Sequence, residues 1–321
     1  MKKLKILLIL LLIVIVSACS NNETYEPYVP EHVRIEGREG DALIWRVTSD
    51  TATVYLVGTI HVGLENLYPM QQILLDAFYR SDIIAVEINS VAMESSMTTM
   101  IQMAEMMMLQ DGTTIEDHIS SETMEMLEEF KDYMGLSALE RLSINHMTVS
   151  AASMTLMAMQ MEEWGFMEVP GVDHFFIELA HEIGKEVIEA ESWEFQLELM
   201  LDFSPELQEL LLRDLLTTSG EEGREYMEKM FNIWLEGDAV GLRNLIDESN
   251  EEFRRYSRRL FEEYNTAMML NRDIAMTELI VEMLSGNQTV FFAVGAAHMV
   301  AENGIIDLLE EKGWTVTRVQ Q

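Results

Sequence analysis

Thr53-Val-Tyr-Leu-Val-Gly-Thr-Ile-His61-Val62 and, far downstream, Thr289-Val-Phe-Phe-Ala-Val-Gly-Ala-Ala-His298-Met299 are two versions of one pattern. Each is an apolar run rich in β-branched and aromatic residues, followed by Gly, two small or apolar residues, and His. A run of this length reads as a buried strand. Glycine at its end permits a sharp turn, or lets a ligand come close to the backbone. The histidine then emerges at the strand's C-terminal edge, the rim where open α/β sheets hold their ligands. One such histidine carries little weight, because a structural imidazole is the commoner occupant. Its repetition at both ends of the folded region points to a shared site.

Working outward, Ala42–Thr48 and Thr53–Val57 flank the polar turn Ser49–Ala52 and read as a β-hairpin, so the sheet is expected to be mixed. Met70–Tyr79 has helical spacing. Asp82-Ile-Ile-Ala-Val-Glu87 is a second buried strand with a carboxylate at its end, and burying Glu87 requires a cation, a metal or strong donors. Residues 92 to about 168 read as helices. Within them Met93, Met97, Met100, Met103 and Met107 form one helical stripe, compatible with core packing, a mobile substrate groove or Cu(I) binding.

Asp173 is expected to cap a helix Phe175–Ile183, with His174 on its exposed first turn. Lys185–Glu191 reads as a third strand, with Glu191 at its C-terminal edge. From Trp193 to about Ser285 the chain is helical again, and Arg272 inside an apolar-periodic helix is expected to point inward to a carboxylate, as a structural pair or a substrate clamp. A helix Ile305–Lys312 and a last strand Trp314–Val319 follow. The class is therefore α/β (α+β), with a mixed central sheet and large helical insertions in one domain, 41–321.

The N-terminus reads as a targeting segment: Lys2, Lys3 and Lys5, an apolar run Ile6–Val16, then Val16-Ser17-Ala18-Cys19. Residues 1–18 are expected to be a signal peptide and 19–40 a polar tether. Cys19 follows small residues as in the lipobox of bacterial lipoproteins, a resemblance that implies lipidation there and a mature chain anchored to the extracytoplasmic face of a cell membrane. Cys19 is also the single cysteine in the chain, so the rest has neither disulfides nor thiolate ligands. With 56 acidic against 21 basic residues, net −35, the chain repels nucleic acid, and no such partner is expected.

The rim residues by this reading are His61, Glu87, Glu191 and His298, with Arg272 in support. Two imidazoles and one or two carboxylates suit Zn, Mn, Fe or Co, and such a site with an open position supports metal-assisted hydrolysis. A metal-free scheme, with one His as general base, stays open. The contiguous His-Glu-x-x-His helix, the Gly-x-Ser-x-Gly elbow, a phosphate-binding Gly-rich loop and a dinucleotide fingerprint are all absent.

At these residues the chain resembles the TraB/GumN family, whose wider group includes the animal Tiki proteins. Gly58-Thr-Ile-His61 and Gly295-Ala-Ala-His298 look like its paired G-x-x-H motifs. Val86-Glu87, Gly171-Val-Asp173, Ala190-Glu191-Ser192 and Arg272 extend the likeness over about Leu43–Val319. Tiki proteins are metal-dependent, membrane-tethered proteases needing Mn or Co. The resemblance implies a divalent metal (Mn, Co or Zn) on His61, Glu87 and His298, and a peptide or ester substrate. It also implies the fold of erythromycin esterases and of the haem-binding ChaN proteins. The second reading it leaves open is a non-catalytic lipoprotein that binds haem, metal or peptide. The Met-rich region departs from the family pattern.

Overall fold

The strands are β1 (Ile44–Thr48), β2 (Thr53–Thr59), β3 (Val62–Gly63), β4 (Ile83–Val86), β5 (Val169–Pro170), β6 (Glu186–Glu189), β7 (Thr289–Gly295) and β8 (Thr317–Arg318). Six of them form one sheet in the order β6-β4-β7-β2-β1-β8, and β3 pairs with β5 in a small second ladder. This computed structural model describes residues 35–218 and 220–320. The expected signal segment, Cys19 and the expected tether as far as residue 34 lie outside those residues. Among the described residues, no helix is long and apolar enough to cross a membrane.

The four strands β6, β4, β7 and β2 are mutually parallel, while β1 runs antiparallel to β2 and β8 antiparallel to β1. The mixed sheet expected from the β1–β2 hairpin is present, and Ser49 closes its turn by donating its N–H to the Ala52 carbonyl at 3.0 Å. β4 and β7 are buried along nearly their whole length, as strands covered on both faces must be. On one face Phe291 of β7 meets Phe78 and Phe176 at centroid distances of 5.5 and 4.7 Å, which holds the helices Gln72–Arg80 and Val172–Ile183 to the sheet. Elsewhere Trp234, wholly buried, donates its indole N–H to the Gly58 carbonyl at 2.9 Å. That bond ties the helix Glu221–Leu235 to the end of β2.

Several local expectations need correction. The methionine stripe is not one helix: Ser96 accepts the Thr99 N–H and starts a new helix, Met97–Met107, after the short helix Ser90–Glu94. Met93, Met103 and Met107 pack into the core, whereas Met97 is 71% exposed. The last strand shrinks from six residues to the pair Thr317–Arg318, in register with Arg46 and Trp45, and the Val319 N–H still donates to the Ile44 carbonyl at 3.0 Å. The helix expected from Phe175 begins three residues earlier, at Val172, and ends as expected at Gly184 in the left-handed conformation.

One feature had no sequence signal. Between the helices Arg258–Asn265 and Asn271–Leu284 the chain forms a π-helical segment, Thr266–Leu270, so the three make one continuous rod. The wider turn changes the phase of the helix that follows. Both Arg272 and the adjacent Asp273 are thereby buried.

Candidate functional site

Because β2, β7, β4 and β6 are parallel, their carboxyl ends share one rim. His61 follows β2, His298 follows β7 on the short helix Ala296–Val300, Glu87 follows β4 and Glu191 lies beyond β6. Glu87 and Glu191 are held side by side, since the Glu191 N–H donates to the Glu87 carbonyl at 2.9 Å. All five residues singled out in the sequence meet here. A Cβ added to Gly295 would lie 3.3 Å from Glu87 Oε1, 3.5 Å from His61 Nε2 and 3.6 Å from His298 Cδ2. A side chain at Gly295 would crowd Glu87 Oε1 and touch both imidazoles.

Arg272 is the cation that the buried carboxylates require. Its Nη2 donates to Glu87 Oε2 at 2.7 Å and to Glu191 Oε2 at 2.8 Å, its Nε donates to Glu191 Oε1 at 2.9 Å, and its Nη1 donates to the Met268 carbonyl of the π-segment at 3.1 Å. Gln196 adds its amide to both acids, at 3.1 Å to Glu87 and 2.7 Å to Glu191. The Gly295 N–H donates to Glu87 Oε1 at 2.7 Å, which leaves that oxygen one free lone-pair direction. Burial by itself pushes Glu87 toward the neutral acid. Arg272, then His298, His61 and the Gly295 amide, outweigh it and hold the carboxyl well below the usual range. Burial likewise acts against the Arg272 charge, and the two glutamates overcome it.

Each histidine turns its Nδ1 to an aspartate. His298 Nδ1 lies 2.6 Å from Asp273 Oδ1, both residues almost fully buried. An ionised Asp273 accepts from Nδ1, and Nε2 is turned toward Glu87 Oε1, 4.0 Å away. Burial raises the Asp273 pKa, an effect that His298 and Arg272 only partly offset. His61 Nδ1 lies 3.0 Å from Asp173 Oδ1. Neither atom has an aligned hydrogen-bond partner, so this is a close ion contact and not a directed bond. Burial works against protonation of His61, but Asp173 and then Glu87 prevail over it and over Arg272, and the ring is raised to about 9.

Asp173 therefore does not cap its helix. Gly171 occupies that position, with no side-chain cap, and Asp173 in the first turn faces His61. Gly171 is required there: a Cβ would fall 2.4 Å from the His61 carbonyl carbon. The Val172 N–H donates to the Ile60 carbonyl at 2.9 Å and locks this approach. His174, expected on the exposed first turn, is instead partly buried, with its Nδ1 3.0 Å from Ser90 Oγ. Sequence reasoning missed Asp273, Gln196 and Thr59, whose buried hydroxyl has no partner and which lines the cleft with His61, Glu87 and Asp173. The signal for Asp273 was available, because an acid in an apolar helical face needs a partner.

The cleft is small, ≈290 Å³. The donor types suit a divalent metal: two imidazoles, each with Nδ1 beside an aspartate, and a glutamate whose Oε1 faces His298 Nε2, are the residue types of histidine ligands with a supporting shell. The donors are more widely spread than a coordination sphere, and among the described residues no three His, Cys, Asp or Glu side chains form a closed metal-binding group.

The family model for TraB/PrgY/gumN matches residues 43–318, a span that contains every residue of the rim. This chain belongs to that family. Within the TraB/PrgY/gumN family it is similar to the protein named "Uncharacterized protein YbaP" of Escherichia coli K12, 26% identical over 255 residues, which cover 79% of this chain and 87% of the relative. The Shigella flexneri protein of the same name matches equally. No solved structure matches the chain.

Proposed function

We propose that this TraB/PrgY/gumN-family chain is a metal-dependent hydrolase of peptide or ester bonds. The carrying observation is that His61, His298 and Glu87 stand together at the ends of adjoining strands around Gly295, with His298 Nε2 4.0 Å from Glu87 Oε1. His61, Glu87 and His298 would hold a divalent cation, Mn, Co or Zn. Such an ion polarises a carbonyl and acidifies water.

The protein's own groups do the remainder. Asp273 beside His298 Nδ1 and Asp173 beside His61 Nδ1 would orient the two rings with Nε2 left for the ion. Arg272, bound to both Glu87 and Glu191, keeps Glu87 anionic, while Gln196 fixes the carboxylate plane. Burial on all sides lowers the local dielectric and strengthens each of these contacts. The Thr59 hydroxyl, without a partner in the cleft, is free to bond a substrate polar group. The lysine-flanked apolar start and Cys19 support an extracytoplasmic, lipid-anchored location for this activity.

The test compares the protein with its His298→Ala variant after exposure to Mn, Co or Zn, by elemental analysis and by cleavage of a peptide and ester library. Loss of bound metal and of cleavage in the variant is expected. Equal metal content and equal cleavage in the two proteins overturn the reading.

A further inference from the structure

A second hollow, open in part to solvent, lies between the helix Ala239–Tyr256, the π-segment and residues 301–303. It shares no lining residue with the His61–Glu87 cleft. Its link to the rim is Asp273, which lines the cavity and binds His298. The segments that form its walls are thus the same ones that hold His298 and Arg272 in place.

The polar groups on those walls fall into two sets. The charged ones are already committed: the Arg254 guanidinium lies 4.4 Å over the Phe261 ring and 3.6 Å from Glu302, and Asp273 is taken by His298. The uncommitted ones are neutral. Tyr264 is 4% exposed, and its hydroxyl has no hydrogen-bond partner among the described residues. A buried hydroxyl left in this state calls for a partner from outside the chain. Burial raises its pKa against the opposing effect of Arg272, so the phenol stays a donor at neutral pH. The side-chain amides of Asn250 and Asn265, which also line the cavity, make no hydrogen bond among the described residues. An amide offers donors and acceptors together. Between these groups lie Ile246, Met269, Leu270 and Ala301, which suit the C–H faces of a small ring.

We propose that this cavity binds a small neutral polyol of the size and chemistry of a monosaccharide or cyclitol, held by Tyr264, Asn250 and Asn265. Alternating hydroxyls match a lining that both donates and accepts, and a neutral ligand avoids the repulsion that a chain of net −35 exerts on anions. Binding there would bear on the rim through Asp273, although the binding itself does not depend on the hydrolytic reading.

The experiment uses the protein labelled with 13C-methyl methionine, with the Met269 resonance assigned from a Met269→Leu sample, and titrates it with D-glucose and with myo-inositol. A saturable shift of the Met269 methyl with at least one of them is expected, weakened ten-fold or more in both Tyr264→Phe and Asn265→Ala. The other methionine resonances report that each variant is folded. The proposal is overturned by no saturable shift with either polyol, by an unchanged affinity in folded Tyr264→Phe, or by a shift with putrescine and neither polyol. The first outcome would mean that the hydroxyl of Tyr264 meets water only.

Discussion

Thr59 and Gly295 lie abreast as Cα partners on the parallel strands β2 and β7. That pairing determines where both histidines emerge, since His61 follows Thr59 by two residues and His298 follows Gly295 by three. The two G-x-x-H motifs are brought together by strand register, and the glutamate enters from β4 on the other side of β7.

Gly295→Ala tests the convergence directly. The backbone there, φ −48° and ψ 134°, accepts alanine without strain, but the methyl would sit 3.3 Å from Glu87 Oε1 and 3.5 Å from His61 Nε2. Stability should change by no more than about 1–2 kcal/mol. Metal uptake and cleavage should fall at least ten-fold (about 1.4 kcal/mol). Elemental analysis beside a denaturation curve checks both. A variant that loads metal and turns over normally would mean the chemistry lies elsewhere.

Arg272→Met should be among the most damaging substitutions in the chain. It leaves Glu87 and Glu191 buried without their cation, and breaking such a pair costs about 3–5 kcal/mol. Adding Glu87→Gln and Glu191→Gln removes the stranded charges and should restore part of the loss. Urea unfolding of the single and triple variants decides this, and a single-variant loss below about 1 kcal/mol would contradict the buried network.

The His61–Asp173 contact carries a pH signature. His61 is raised to about 9, above its unfolded value, so its contribution is fully present below about pH 6.5 and disappears as pH rises through about 9. The contribution is at most about 3 kcal/mol. In metal-free buffer the stability gap between the protein and Asp173→Asn should therefore be widest near pH 6 and close toward pH 10. A gap independent of pH would remove the ion contact as its source.

Gly171→Ala should act on His61 without touching its side chain. Backbone of the two residues is in such close approach that the new Cβ would overlap the His61 carbonyl, at a cost of about 1–3 kcal/mol. Thermal unfolding measures the loss, and the His61 ring resonance should move with it. An unshifted ring in a folded variant would show that the loop tolerates the methyl.

Much of this site was legible in the sequence, for physical reasons that can be named. Apolar runs ending in Gly-x-x-His placed both histidines at strand ends, and Glu87, Glu191 and Arg272 stood out as charges where burial was expected. Asp173 was misread because an acid in the first turn of a helix satisfies the capping pattern whether or not it caps. Asp273 carried a signal, an acid on an apolar helical face, but which side chain it meets depends on the helical phase set by the π-segment, which leaves no periodic mark in five residues. The placement of β7 between β4 and β2 is a long-range pairing that no local pattern encodes. The family match over residues 43–318 agrees with the motif reading.

β7 is the seventh strand to leave the ribosome, yet it occupies the middle of the sheet. Until it inserts, β4 and β2 have no common neighbour, Glu87 lacks the Gly295 amide, and His61 has no second imidazole opposite it. The rim is therefore complete only when residues from the last tenth of the chain have paired with both neighbouring strands.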